Sequence, residues 1–225
     1  MKTLARTSLL SLLLAGSLPA LAQNLSSFEK QVTQKTLANG LRVIVIETKG
    51  APVFSFSTRV MTGGDREVAG ITGLAHMFEH MAFKGTDTIG TTNYAAEKVA
   101  LEKVEKAYAA YDSAKRQPSP DDKKVAELEK AFKAAVAEAD AFVVKNEFGE
   151  IVDREGGVGL NASTNADETQ YYYSLPANRF ELWAYLESER FLKPVMREFL
   201  PREDVRQPVW ATELMAGYWK AGSAR

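Results

Sequence analysis

His76 and His80 are the only two histidines in 225 residues, and Glu79 stands next to the second. On a helix, residues i and i+4 lie on one face, about one turn apart. Two imidazoles so placed can grip one zinc ion at roughly 2.0–2.1 Å per bond. Glu79, three residues after His76, can approach that metal from the side without ligating it and take a proton from water held there. The order His-x-x-Glu-His is the inverted form of the His-Glu-x-x-His zinc helix.

The flanks strengthen the reading. Gly73 suits a helix start, and Gly85-Thr86 suits a stop. Met77, Phe78, Met81 and Phe83 make the segment between them largely apolar. An unpaired imidazole on such a helix is costly. Two histidines can fall four apart by chance, but a shared metal explains this pair better.

With its flanks, Gly73 to Thr86 resembles the inverted-zincin helix of the pitrilysin/insulinase family of metallopeptidases. Thr36-Leu37-Ala38-Asn39-Gly40-Leu41-Arg42-Val43 resembles that family's opening strand, and Asn93-Tyr94 and Gly156 to Tyr173 match further segments. The likeness runs from about Val32 to Val205, interrupted by one large insertion. It implies a zinc-dependent metalloendopeptidase that hydrolyses internal peptide bonds. His76 and His80 would hold Zn2+, and Glu79 would be the general base. Asn161 and Ala162 match an edge strand that pairs with the substrate backbone, a mode that gives affinity with little sequence specificity. The implied substrate is a peptide or unfolded polypeptide. A second homologous domain or subunit would complete the site.

A hydrolytic zinc site needs three protein ligands and an open position. The family's third ligand is a glutamate on a later helix, and the chain follows that pattern through Phe199-Leu200-Pro201-Arg202-Glu203-Asp204-Val205. Continued without a gap, the ligand position falls on Pro208 or Val209, neither of which binds zinc. A few extra residues would shift the register and make Glu213, in Ala211-Thr212-Glu213-Leu214, the ligand. Alternatively, residues 206–225 are foreign sequence of the kind a reading-frame change creates, and Pro208 favours this by damaging the helix that should carry the ligand.

The chain ahead of these residues reads as an export signal. Lys2 and Arg6 precede an apolar run from Leu9 to Leu14, and Ala20-Leu21-Ala22 is a small-x-small cleavage site. The expected organisation is a signal peptide over 1–22, a metallopeptidase-like amino-terminal domain over 23–205 and an atypical tail over 206–225. The 28 basic and 29 acidic residues, less Lys2 and Arg6, leave a net charge near −3, which argues against nucleic acid as a partner. No cysteine is present, so disulfides and thiolate zinc ligands are excluded. No segment beyond the signal is long and apolar enough to span a bilayer. The expected destination is the periplasm or the exterior.

The elements that must position the histidines read as α+β: a two-layer arrangement with an antiparallel sheet, helices on one face and an inserted helical hairpin. Leu41 to Ile46 is β-branched and predicts a strand buried on both faces, with Asn39-Gly40 as the turn before it. Val53 to Val60 predicts a second strand with Phe54, Phe56 and Thr58 on one face. Asn93 to Tyr111 predicts a helix, broken at Gln117 to Asp122. Ser119 is the expected cap of a following helix that carries Val125, Leu128, Phe132, Val136 and Phe142. Glu102–Lys106 and Glu129–Lys133 pair along exposed faces. Residues 97–146 thus form a helical hairpin, either a substrate-restricting arm or a solvated insertion without chemistry. Asn161 to Thr164 and Thr169 to Tyr173 predict a β-hairpin. Asn178 to Lys193 predicts a helix with Trp183 in the core and Glu187, Glu189 and Arg190 on a solvated or ion-paired face.

Three functions fit: a peptidase domain, a non-catalytic peptide- or partner-binding homologue, and an inactive truncated product. The intact Glu79 favours the first over the second, since a pure binder needs no base. The altered tail favours the third.

Overall fold

The structure is a computed structural model that describes residues 28–68 and 72–199. The expected signal peptide, the tail and Glu213 lie outside the described residues. The chain divides into two compact units, one ending at Ala51 and the other beginning at Pro52.

In the first unit, β1 (Val32–Thr36) and β2 (Arg42–Ile46) form an antiparallel pair, in register from Val32↔Ile46 to Thr36↔Arg42. Leu37 to Leu41 connects them, with Gly40 at φ +87° and the Leu41 amide donating to Asn39 Oδ1 at 3.1 Å. The expectation that β2 is buried on both faces is wrong. Ile44, Val45 and Ile46 are exposed, and only Val43 is half-buried. A two-stranded sheet has no second layer of its own, so its apolar content does not translate into burial.

The second unit is built on a three-stranded antiparallel sheet ordered β3 (Val53–Val60), β5 (Thr169–Pro176), β4 (Val158–Thr164). Central β5 alternates strictly, burying Thr169, Tyr171, Tyr173 and Leu175. This is the period-2 signature of a strand with one face on a core. On β3, Phe54, Phe56 and Thr58 are the half-buried set, as their alternation predicts. The core joins Ile89, Phe148, Val152, Tyr173, Leu175 and Leu186. Among the described residues five α-helices complete the α+β fold: α1 (Leu74–Met81), α2 (Tyr94–Lys115), α3 (Asp122–Asp140), α4 (Glu147–Arg154) and α5 (Phe180–Leu192).

The expected helical hairpin is α2 and α3. Its own core gathers Ala100, Val104, Tyr108, Tyr111, Phe132 and Ala139, with Tyr111 stacked on Phe132 at 6.0 Å. Asn93 caps α2 by accepting from the Ala96 amide at 3.2 Å. The cap of α3 is Asp121, not Ser119: its carboxylate accepts from Lys123 and Lys124 amides at 3.0 and 3.3 Å. A carboxylate takes two orphan amides at the positive helix end, so it captures the cap two residues downstream of the serine. The hairpin is tied to the sheet-bearing unit at its base, where Thr91 bridges Val143 and the Val144 amide donates to the Gly90 carbonyl at 3.1 Å.

Helix α5 departs from expectation in one respect. Glu187 and Arg190 are ion-paired but not solvated: both are buried, as is Glu189. Glu187 accepts from Thr58 Oγ1 at 3.0 Å, Tyr173 Oη at 3.2 Å and Arg190 Nη2 at 2.8 Å. Phe83, Phe148, Tyr171 and Phe191 surround the Arg190 guanidinium with centroids 4.6–5.5 Å away. Aromatic faces stabilise a desolvated cation that has one carboxylate partner. Trp183 packs into the core against Phe54 and Phe56, as expected.

Candidate functional site

Helix α1 carries the three candidate residues, and its start is fixed from outside the helix. Gly73 is its N-cap at φ +91°, a left-handed conformation that glycine adopts without steric cost. No acidic residue lies in the first turn. The Glu67 carboxylate supplies what is missing, accepting from the Gly73 amide at 2.6 Å and the Ala75 amide at 2.7 Å. An anion at the amide end satisfies two orphan donors and opposes the helix dipole. Met77 and Met81 are buried and hold the opposite face of the helix down, while Phe78 is exposed.

His76 and His80 come together as their spacing predicts. Their Nε2 atoms are 3.1 Å apart, with ring centroids 4.7 Å apart and planes at 45°. Ligand atoms of His76, Glu79 and His80 all lie within 4.8 Å of one another, and among the described residues no other group of three or more such side chains does so. His76 is half-buried and His80 exposed, so the ring pair opens outward. Two nitrogens 3.1 Å apart can be spanned by two bonds of about 2.0–2.1 Å meeting at one centre, so the donors suit a zinc ion in both type and spacing.

Glu79, beside them, is only 8% exposed. Its Oε2 accepts from Thr164 Oγ1 at 2.5 Å, within the range of a charge-assisted O–H···O⁻ bond. Thr164 Oγ1 lies 3.2 Å from Thr169 Oγ1, which donates to the Thr62 carbonyl at 3.0 Å. Nothing in the helix motif signals Thr164. Strand alternation could have found it, since Ala162 and Thr164 are two apart and so share a face of β4. Glu67 had no local signal, because it lies six residues before Gly73, beyond ordinary capping positions.

Asn161 and Ala162 lie on β4, which is an edge of the three-stranded sheet. They pair inward with Tyr172 and Tyr171. A register shift between Val158 and Asn161, with Gly159 at φ +70°, twists the strand just before them. Asn161 Oδ1 accepts from the Ala162 amide at 2.9 Å.

A second fixed point lies after α1. Arg197 is 1% exposed and uses every donor it has. Nε and Nη2 bond the two oxygens of Glu97; Nη1 donates to the Lys84 and Ile89 carbonyls at 3.0 and 3.1 Å; Nη2 also donates to the Thr86 carbonyl at 2.6 Å. Gly85, at φ +93°, lets the loop close there: a Cβ would meet the Ile89 carbonyl oxygen at 2.1 Å.

Comparison with known proteins follows the same lines. The family profile described as Insulinase (Peptidase family M16) matches residues 42–132. Among solved structures, a protease from Helicobacter pylori shares 24% identity and a TM-score of 0.52, covering 81% of this chain and 32% of that one. The first half of the periplasmic protease PqqL from Escherichia coli shares 18% identity and a TM-score of 0.42, covering 85% of this chain and 30% of that one. No curated protein matches. The chain thus spans about a third of each of these structures, and the Helicobacter likeness establishes a shared fold. From the start of β2 to the middle of α3 the sequence matches the insulinase family profile, a stretch that includes the whole of α1.

Proposed function

We propose that the chain is the zinc-bearing part of a metalloendopeptidase that cleaves peptides or unfolded polypeptides. The observation that carries this reading is the convergence of His76, Glu79 and His80 within 4.8 Å on one helix, with the carboxylate buried and the imidazoles facing outward. His76 and His80 would hold the metal through Nε2. A zinc ion held there would supply Lewis acidity toward water and toward a scissile carbonyl. Glu79 accepts a proton from the attacking water and passes it to the leaving amine. The β4 edge offers Asn161 and Ala162 for backbone pairing with an extended substrate. A second homologous domain or subunit would close over the peptide. Export to the periplasm or exterior suits such a role, and no described helix is long and apolar enough to cross a membrane.

Metal analysis of the purified full chain tests the reading. About one zinc per chain is expected, lost in His76→Ala and in His80→Ala and retained in Glu79→Gln. Unchanged zinc content in both histidine variants would sink the site. The third ligand has its own test: Glu213→Ala abolishes tight zinc binding if Glu213 ligates, and changes nothing if residues 206–225 are foreign. Pro208 favours the second outcome, and with it little peptidase activity for this chain alone.

A further inference from the structure

Glu79 is held by more than its helix. Its Oε2 accepts from a side chain at the end of β4, and that side chain sits beside the ends of the other two strands. Thr164 is the last residue of β4, Thr169 the first of β5, and Thr62 lies two residues after β3. The Thr62 carbonyl can only accept, so its contact commits the one hydroxyl hydrogen of Thr169. Thr164 also has one hydrogen. The carboxylate at 2.5 Å outcompetes the Thr169 hydroxyl at 3.2 Å for it. Threonine is β-branched and stiff at χ1, so a donor placed there stays in place.

We infer that Thr164 is a positioning residue for the general base: it pins Oε2 of Glu79 to the corner of the sheet and leaves Oε1 as the oxygen presented to the attacking water. The inference rests on the metallopeptidase reading for the role of Glu79, but its geometric core does not need a metal. With Oε2 tied down, rotation about the terminal carboxylate bond is blocked, so the proton-accepting oxygen faces the His76–His80 side in every turnover. A general base acts only within hydrogen-bond reach of the proton it takes, and a misplacement near 1 Å can cost about 10²-fold in rate. Thr164 touches neither metal nor substrate; it acts through Glu79.

The test compares the full chain with Thr164→Val, which keeps the side-chain shape and removes the donor, and Thr164→Ser, which keeps the donor. The first readout is the Glu79 side-chain conformation in crystal structures of the three proteins without added metal. The inference expects the carboxylate to leave its position in the valine variant and to return in the serine variant. Should valine prevent folding, Thr164→Ala removes the donor without adding an apolar contact. The second readout is zinc content, expected to be equal in all three. Where peptide hydrolysis is measurable, kcat should fall about 10²-fold in the valine variant with KM little changed, and serine should restore most of it. Glu79 in an unaltered position in Thr164→Val, or displaced equally in Thr164→Ser, overturns the inference. Loss of the metallopeptidase reading appears separately, as failure of the histidine variants to lose zinc.

Discussion

Removing Arg197 should do more damage than any surface charge on this chain. Arg197→Met keeps an unbranched stem of similar reach but withdraws all five donors. Glu97, 0% exposed, is then a buried carboxylate with no cation, and the Lys84, Thr86 and Ile89 carbonyls lose a partner each. Breaking one side of a buried ion pair costs about 3–5 kcal/mol. That is a large share of a domain's usual stability of about 5–15 kcal/mol. Arg197→Lys should recover only part, because an ammonium has three donors and cannot fork across both Glu97 oxygens. Adding Glu97→Leu to Arg197→Met removes the stranded charge, so the double variant should be more stable than Arg197→Met alone. Equilibrium urea unfolding of the unaltered chain, these three variants and Glu97→Leu alone, followed by Trp fluorescence, gives the comparison. The reasoning fails if Arg197→Met shifts stability by less than about 1 kcal/mol, or if the double variant is weakened by the sum of its parts, since contacting residues should couple by about 0.5–3 kcal/mol.

The same pair predicts where the helical hairpin can be cut. Replacing 102–137 with a short Gly/Ser connection should leave a cooperatively unfolding protein, whereas replacing 97–146 should not, because the longer cut deletes Glu97 and the Thr91–Val143 bridge. Glu67→Gln should cost about 1 kcal/mol through the loss of a charged cap on α1, read as a lower unfolding midpoint, while Glu67→Ala should cost more. Alkaline pH supplies a third test. Burial, partly offset by Arg190, pushes the Tyr171 phenol up to about 12, and burial with the Glu187 charge pushes Tyr173 higher still. The unfolded chain therefore releases these protons first, so stability is fully present below pH about 10 and falls as pH rises toward 12. Tyr171→Phe should flatten that fall in unfolding midpoints measured across the range; an unchanged slope would count against the burial argument.

What was legible in the sequence is what depends on local periodicity. His76 and His80 at i and i+4, Phe54, Phe56 and Thr58 at every second residue, and the β-hairpin around Asn165 to Glu168 all follow from one helix or strand period. The turn shows why: Asn165 Oδ1 accepts from the Asp167 and Glu168 amides at 2.8 and 2.9 Å, so its chemistry is contained within four residues. The capping of α3 failed by two residues because Ser119 and Asp121 both offer a side-chain acceptor, and only competition between them decides. Helix α4 escaped notice because its eight residues include Gly149 and carry too short an apolar stripe, although Phe148 and Val152 are among the most buried side chains of the core.

The illegible part is long-range and polar. Glu187, Glu189 and Arg190 look like the outer face of a helix because three charges in four residues usually seek water. Glu187 is buried against Thr58 and Tyr173, and Arg190 among Phe83, Phe148 and Tyr171 from other parts of the chain together with its neighbour Phe191. Arg197 and Glu97 are one hundred residues apart and carry no motif. The candidate site repeats the pattern. Its outer side, His76 and His80, follows from a helix period alone. Its rear, where Thr164 bonds Glu79 beside the Thr169–Thr62 contact, exists only once three strand ends meet. A helix can place a carboxylate beside two imidazoles, but it cannot choose which oxygen faces them. That choice falls to the sheet, which is why a single threonine at the end of an edge strand is the sharper probe of Glu79 than any residue on the helix itself.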